Sequence, residues 1–170
     1  MDALESILTR RSVREYTGQP VPEALLHELL AAAMQAPSAG NQQPWHFVIL
    51  TSHSQMEALA DVLPYGQMLR TAPAAIAICA NPEGIRHPAF WVQDCSAATQ
   101  NLLLAAHARG LGAVWLGVYP LEVRVADLKR ILELPGQAVP LCVVAIGYPL
   151  VSPGPPASRY DESRLHRDRW

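Results

Sequence analysis

Ala74-Ala-Ile-Ala-Ile-Cys-Ala80 is an unbroken run of seven apolar residues. It is short for a helix and shows no polar alternation, so it reads as a strand covered on both faces. Such a strand needs helices above and below it, and the neighbouring sequence supplies them. Upstream, Leu25, Leu26, Leu29, Leu30 and Ala33 recur at three- and four-residue spacing behind Pro22, which suits the first turn of a helix. Downstream, Phe90 to Arg109 is a long helical stretch crowded with Ala97, Ala98, Ala105 and Ala106. Small side chains on nearly every side predict a central helix that other elements approach closely.

The remaining elements follow from the same periodicities. Ala3, Leu4, Ile7 and Leu8 form one face of a short helix over Ala3 to Thr9, and Trp45 to Leu50 reads as a strand. Ser54 to Leu63 reads as a helix, with Ser54-Gln-Met-Glu57 as its capping box. Ala113 to Val118 is a strand, Glu122 to Leu132 an amphipathic helix, and Val139 to Ile146 a further buried strand. This alternation predicts one α/β or α+β domain over residues 1–170 with a buried central sheet. The tail, from about residue 147, carries Pro149, Pro153, Pro155 and Pro156 and then the charged segment Arg159 to Trp170. It holds no core element, and a monomer would leave Trp170 in water, so the tail is expected to cross a neighbouring subunit.

Composition narrows the function. Half of the residues are hydrophobic and 16% are charged, which excludes a disordered chain. Thirteen basic residues against fifteen acidic ones give a formal charge of −2, so no basic field exists to hold nucleic acid. Cys79, Cys95 and Cys142 are odd in number and widely spaced, unlike a disulfide framework or a thiolate zinc site. The first twelve residues put acids where a secretory signal wants positive charge, and no apolar run is long enough to span a membrane. A soluble, cytoplasmic protein is expected.

Familiar catalytic signatures fail. There is no phosphate-binding Gly-x-x-x-x-Gly-Lys-Ser/Thr, Gly-x-Ser-x-Gly or His-Glu-x-x-His. Gly110-Leu-Gly112 runs from helix to strand and finds its third glycine late, at Gly117, so a dinucleotide turn is rejected. The six histidines lack metal-ligand spacing, and Asp161-Glu162 reads as a solvated pair in the tail.

Other segments carry chemistry instead. Arg10-Arg11-Ser12-x-Arg14 gathers guanidinium forks and a hydroxyl, the groups that grip a phosphate. A helix end attracts cations for its dipole alone, but one arginine satisfies that. Pro37-Ser38-Ala39-Gly40-Asn41-Gln42-Gln43-Pro44 is a loop of small residues and amides between prolines, suited to the edge of a flat heterocycle. Gly110 to Gly117 reads by itself as a helix cap and strand end, with glycine where backbone can approach a ligand. Arg159 reads by itself as a tail base, yet it could reach the anion of the first cluster. A plain bias toward arginine also runs through the chain, since Lys129 is the only lysine among the thirteen bases.

Taken in order, Arg10 to Arg14, Ala36 to Trp45, Gly110 to Gly117, Ile146-Gly-Tyr-Pro149 and Arg159 to His166 resemble the nitroreductase family of flavin enzymes, in its short single-domain form. The resemblance implies an α+β fold, with a mainly antiparallel mixed sheet flanked by helices, in a domain-swapped homodimer. Two FMN molecules would lie at the subunit interface, and the segment from about residue 147 to 170 would wrap the partner. By the same resemblance Arg10, Arg11, Ser12 and Arg159 would hold the FMN phosphate and ribityl chain, and Arg14 would lie at the pyrimidine edge. Pro37, Ser38, Ala39 and Asn41 would come from the other subunit, and backbone at Trp115, Leu116 and Gly117 would face the central ring. NADH or NADPH would deliver hydride to flavin N5, and a nitroaromatic, a quinone or another electron-poor compound would remove it in ping-pong order. The flavin would carry the chemistry, with no catalytic side chain and no metal.

Two departures stand against this pattern. Ala157 occupies the place, two residues before Arg159, where many members have lysine. Between Tyr65 and Arg70, where relatives offer an amide and a lysine, only Gln67 and Arg70 are candidates. A flavin-degrading enzyme of the same fold and a non-catalytic FMN carrier are the competing readings.

Overall fold

The seven residues of β2 (Ala74–Ala80) are all buried. β2 pairs antiparallel with β1 (Trp45–Leu50) on one side and with β4 (Val139–Gly147) on the other. β3 (Gly112–Gly117) lies beyond β4, giving the order β1-β2-β4-β3. The computed structural model describes residues 1–154 and 156–170.

The pleat assigns β2 to two cores. Ala74, Ile76, Ile78 and Ala80 pack with α2 (Glu23–Ala33) and α4 (Trp91–Ala108), while Ala75 and Ala77 pack with α3 (His53–Val62) and α5 (Glu122–Ile131). The result is a helix–sheet–helix sandwich of the α+β class. Its named strands are antiparallel throughout. Among the described residues the parallel component is an isolated bridge between Ser12 and Ala113. Pro140 can stand inside β4 because it lies opposite Cys79, where the register shifts by a bulge.

Local details correct the sequence reading at α3 and extend it at the first helix. α3 begins at His53 behind Ser52, and no side chain caps it. Glu57 faces His53 one turn back, at 3.3 Å, so the expected box from Ser54 does not form. α1 (Ala3–Thr9) turns Ser6 inward, where its hydroxyl donates to the Leu104 carbonyl at 3.0 Å. The apolar face of α1 is thereby left bare: Leu4 and Leu8 are each 70% exposed and Ile7 is 54% exposed.

The tail runs back beside the amino-terminal segment. Tyr16 bridges Pro149, and the Leu150 N–H donates to the Glu15 carbonyl at 2.9 Å. Beyond that its described residues lie on the surface, and Trp170 is fully exposed, stacked on His166.

Candidate active site

After α1 the chain runs extended along the outer edge of β3. The Val13 N–H donates to the Ala113 carbonyl at 3.1 Å, and Val13 is buried whereas Ser12 and Arg14 are exposed. Two-residue alternation puts Arg10, Ser12 and Arg14 on the side opposite Val13, spread over about 13 Å of chain. Gly112 makes this close approach possible: a Cβ there would meet Val13 at 2.6 Å.

At one end of this row Arg10 meets the tail. Arg10, Gln100, Ser158, Arg159 and Tyr160 line a cleft of about 650 Å³, together with Ile7 and Leu8. Burial first, and Arg159 second, pull the Arg10 guanidinium below its ordinary pKa. Two cations are thus held close with no carboxylate on the cleft wall. Bringing them together opposes their charge unless an anion sits between them. Arg11 takes another direction, its guanidinium donating to the Gly154 carbonyl at 3.2 Å. Neither Arg11 nor Ser12 lines the cleft.

At the other end Arg14 enters a second cavity, of about 190 Å³, with Leu63, Pro64, Tyr65, Trp115, Leu116, Gly117 and Arg124. A Cβ on Gly117 would find nothing within 4 Å, so packing does not require glycine there. What the glycine leaves is open space above the strand end. Gln67 and Arg70 stay outside this lining. Gln67 donates to the Ala60 carbonyl, and Arg70 pairs with Asp61 and donates to Gln67.

The loop from Pro37 to Asn41 lies apart from both cavities within one chain. Its geometry is nevertheless tightly specified. Gly40, Asn41 and Gln43 have φ of 56°, 54° and 47°, the left-handed region that glycine and asparagine enter most readily. The buried Asp94 of α4 accepts from the Ala39 N–H at 2.9 Å and from the Gln42 side-chain amide at 2.7 Å. Gln42 is also tied to the His87 backbone in both directions, and the Ser38 hydroxyl accepts from the Gln43 N–H at 3.0 Å.

The sequence profile described as "Nitroreductase family" matches residues 7–63 and 53–148, which takes in most of this architecture. The chain belongs to the nitroreductase family. A family protein of Methanothermobacter thermautotrophicus, provisionally named an NADH dehydrogenase/NAD(P)H nitroreductase, is 47% identical over 170 residues, covering 100% of this chain and 88% of its own. A crystal structure from Clostridium acetobutylicum, provisionally named an NADH oxidase, superposes with a TM-score of 0.93 at 41% identity, covering 99% of this chain and 100% of its own. Another, of a provisionally named nitroreductase from Desulfovibrio desulfuricans in complex with FMN, gives a TM-score of 0.87 at 32% identity, covering 100% of this chain and 98% of its own.

Within this nitroreductase fold, several residues of the site went unread in the sequence. Asp94 was legible in principle, as an acid inside an alanine-rich buried helix. Gln42 was visible as part of the loop but not as its anchor. Tyr65, Gln100, Arg124 and Tyr160 carry no local signal, because only the folding of distant segments brings them to the cavities.

Proposed function

We propose that this nitroreductase-family chain is an FMN-dependent NAD(P)H oxidoreductase acting on electron-poor acceptors. The observation that carries the reading is the convergence of Arg10 and Arg159 on one cleft free of carboxylates. These residues fit the cofactor. An anionic tail suits the paired guanidinium groups, and the opening above Gly117 leaves room for a flat ring against Trp115 and Leu116. When bound, FMN supplies hydride transfer between NADH or NADPH and a nitroaromatic, quinone or similar acceptor, taken in turn in ping-pong order.

The chain's own groups then have distinct tasks. Arg10 and Arg159 hold the phosphate, Ser12 the ribityl chain, and Arg14 the pyrimidine edge. Arg11, one of whose N–H groups donates to the Gly154 carbonyl, would join Arg10 and Arg159 at the phosphate. The Trp115–Gly117 backbone would face the ring. Pro37, Ser38, Ala39 and Asn41 line neither cavity of their own chain, which accords with the role that the family resemblance implies for them, at the site of a second copy. The bare Leu4, Ile7 and Leu8 face and the exposed tail are the surfaces such a homodimer would cover. No nucleic acid or membrane enters this reading, and no described helix is long and apolar enough to cross a bilayer. The free, buried cysteines accord with a cytoplasmic chain.

The test is optical. Purified protein titrated with FMN should quench flavin fluorescence at one FMN per chain, and anaerobic NADH or NADPH should bleach the yellow complex. Added nitroaromatic or quinone should restore the colour. Complex that never bleaches indicates a carrier, conversion of the flavin to a benzimidazole indicates a degrading enzyme, and failure to bind FMN removes the reading. Arg10→Ala with Arg159→Ala should weaken FMN binding by about 1.5–3 kcal/mol for each charge-assisted hydrogen bond removed.

A further inference from the structure

We infer that Arg124 is the second cation of the ring site, acting with Arg14 to set the reduction potential of the bound flavin. This rests on the reading that FMN occupies the cavity beside Gly117.

Arg124 belongs to α5, yet it lines the same cavity as Arg14 and Trp115. Its guanidinium donates to the Gly117 carbonyl at 3.0 Å, which fixes the charge at the cavity rim. No acidic residue lines the cavity, and among the described residues neither Arg14 nor Arg124 takes part in an ion pair. The other base near Tyr65, Arg70, is neutralised by Asp61.

Helix physics argues the same way. Arg124 stands in the first turn of α5, where a cation opposes the helix dipole; Lys129 and Arg130, in the last turn, sit where the dipole favours them. A base placed against its own helix, and pointed at an uncompensated cavity, answers a demand from outside the helix.

That demand is electrostatic. Hydride delivery moves two electrons and one proton onto the ring, which becomes more negative by one charge as the nicotinamide becomes cationic. A fixed cation at the rim favours the reduced ring over the neutral oxidised one, most strongly where water is excluded. Arg14 alone supplies part of that field, and Arg124 the rest.

The experiment compares FMN-loaded wild type, Arg124→Gln and Arg124→Lys by anaerobic dye-equilibration potentiometry, beside FMN titrations of each apoprotein. Glutamine can still donate to the Gly117 carbonyl but carries no charge, so it separates position from field. The expected result is near-normal affinity for oxidised FMN in every variant. In Arg124→Gln the preference for reduced over oxidised FMN should fall about tenfold, a downward shift of about 30 mV for a two-electron couple. Arg124→Lys should recover most of it. An unchanged potential in Arg124→Gln that binds FMN normally overturns the inference and leaves the FMN reading standing; wild type that binds no FMN overturns both.

Discussion

The Asp94 carboxylate accepts a hydrogen bond from the Ala39 backbone N–H at 2.9 Å, joining a buried acid of the central helix to an exposed loop. Its second oxygen holds the Gln42 amide at 2.7 Å, so one side chain fixes two points of the turn. Asp94→Ala removes both acceptors at once. Unfolding in urea should show a loss of about 2–4 kcal/mol, from two charge-assisted bonds, one of whose donors keeps a partner. Asp94→Asn, which preserves one acceptor, should fall between. FMN affinity should drop in step with the loop's displacement; an Asp94→Ala protein as stable as wild type would contradict this account.

Gly112 is tested by adding a single methyl. Gly112→Ala sets a Cβ 2.6 Å from Val13, which is itself pinned to the Ala113 carbonyl. Overpacking of this kind should lower stability by about 1–3 kcal/mol. Val13→Ala in the same chain should return part of that loss, and a double-mutant cycle by chemical denaturation measures the coupling. Strictly additive effects would mean that the Val13 methyl groups carry no part of the clash.

Acid should lower stability through His107, which joins α4 to α1. The Thr9 hydroxyl donates to the Glu5 carbonyl at 2.6 Å, so at its 2.8 Å contact with His107 it accepts from the ring Nε2–H. Burial first, then the nearby Arg10, depress the His107 pKa below its ordinary 6.5, against a smaller opposing pull from Glu5. Because the folded pKa is the lower one, the unfolded chain takes up its proton first. The stability contributed by neutral His107 is therefore full above about pH 6.5 and lost as pH falls through the folded value. Thermal melts at pH 8 and pH 5.5 should show a larger drop for wild type than for His107→Gln.

Thiol chemistry should be silent in the folded protein. Burial pushes Cys79 and Cys95 up to about 12 and raises Cys142 as well. All of them are free and buried, so a disulfide reagent should label none in the native state on the timescale on which it labels every one in denaturant. Fast native labelling of any of them would mean that the sheet opens readily.

The fold was legible where periodicity reports burial directly. β2 and β4 are covered on both faces, and their unbroken apolar runs announced this. α1 was legible as a helix but not in its orientation: Leu4 and Leu8 look like a core face, yet Ser6 is the residue that turns inward. The reason lies beyond the single chain's pattern, since an apolar face reads the same whether it meets its own core or another surface. The site was half legible. Arg10, Arg14 and Gly117 belong to compact motifs, while Asp94 matters through Ala39, far from it in sequence, and Arg124 through Gly117, across the turn that joins β3 to α5.

One cation of the anion cleft stands on the best-rooted part of the chain and the other on the least. Arg10 leads into a segment locked against β3, whereas Arg159 rides on a stretch of the tail with no buried side chain among the described residues. Opening that stretch breaks little, so protease nicks should gather there first, and an occupied cleft should slow them. Digestion would then strip away the grip on phosphate and leave an intact sandwich behind, making the ease of cleavage a direct gauge of how full the cleft is.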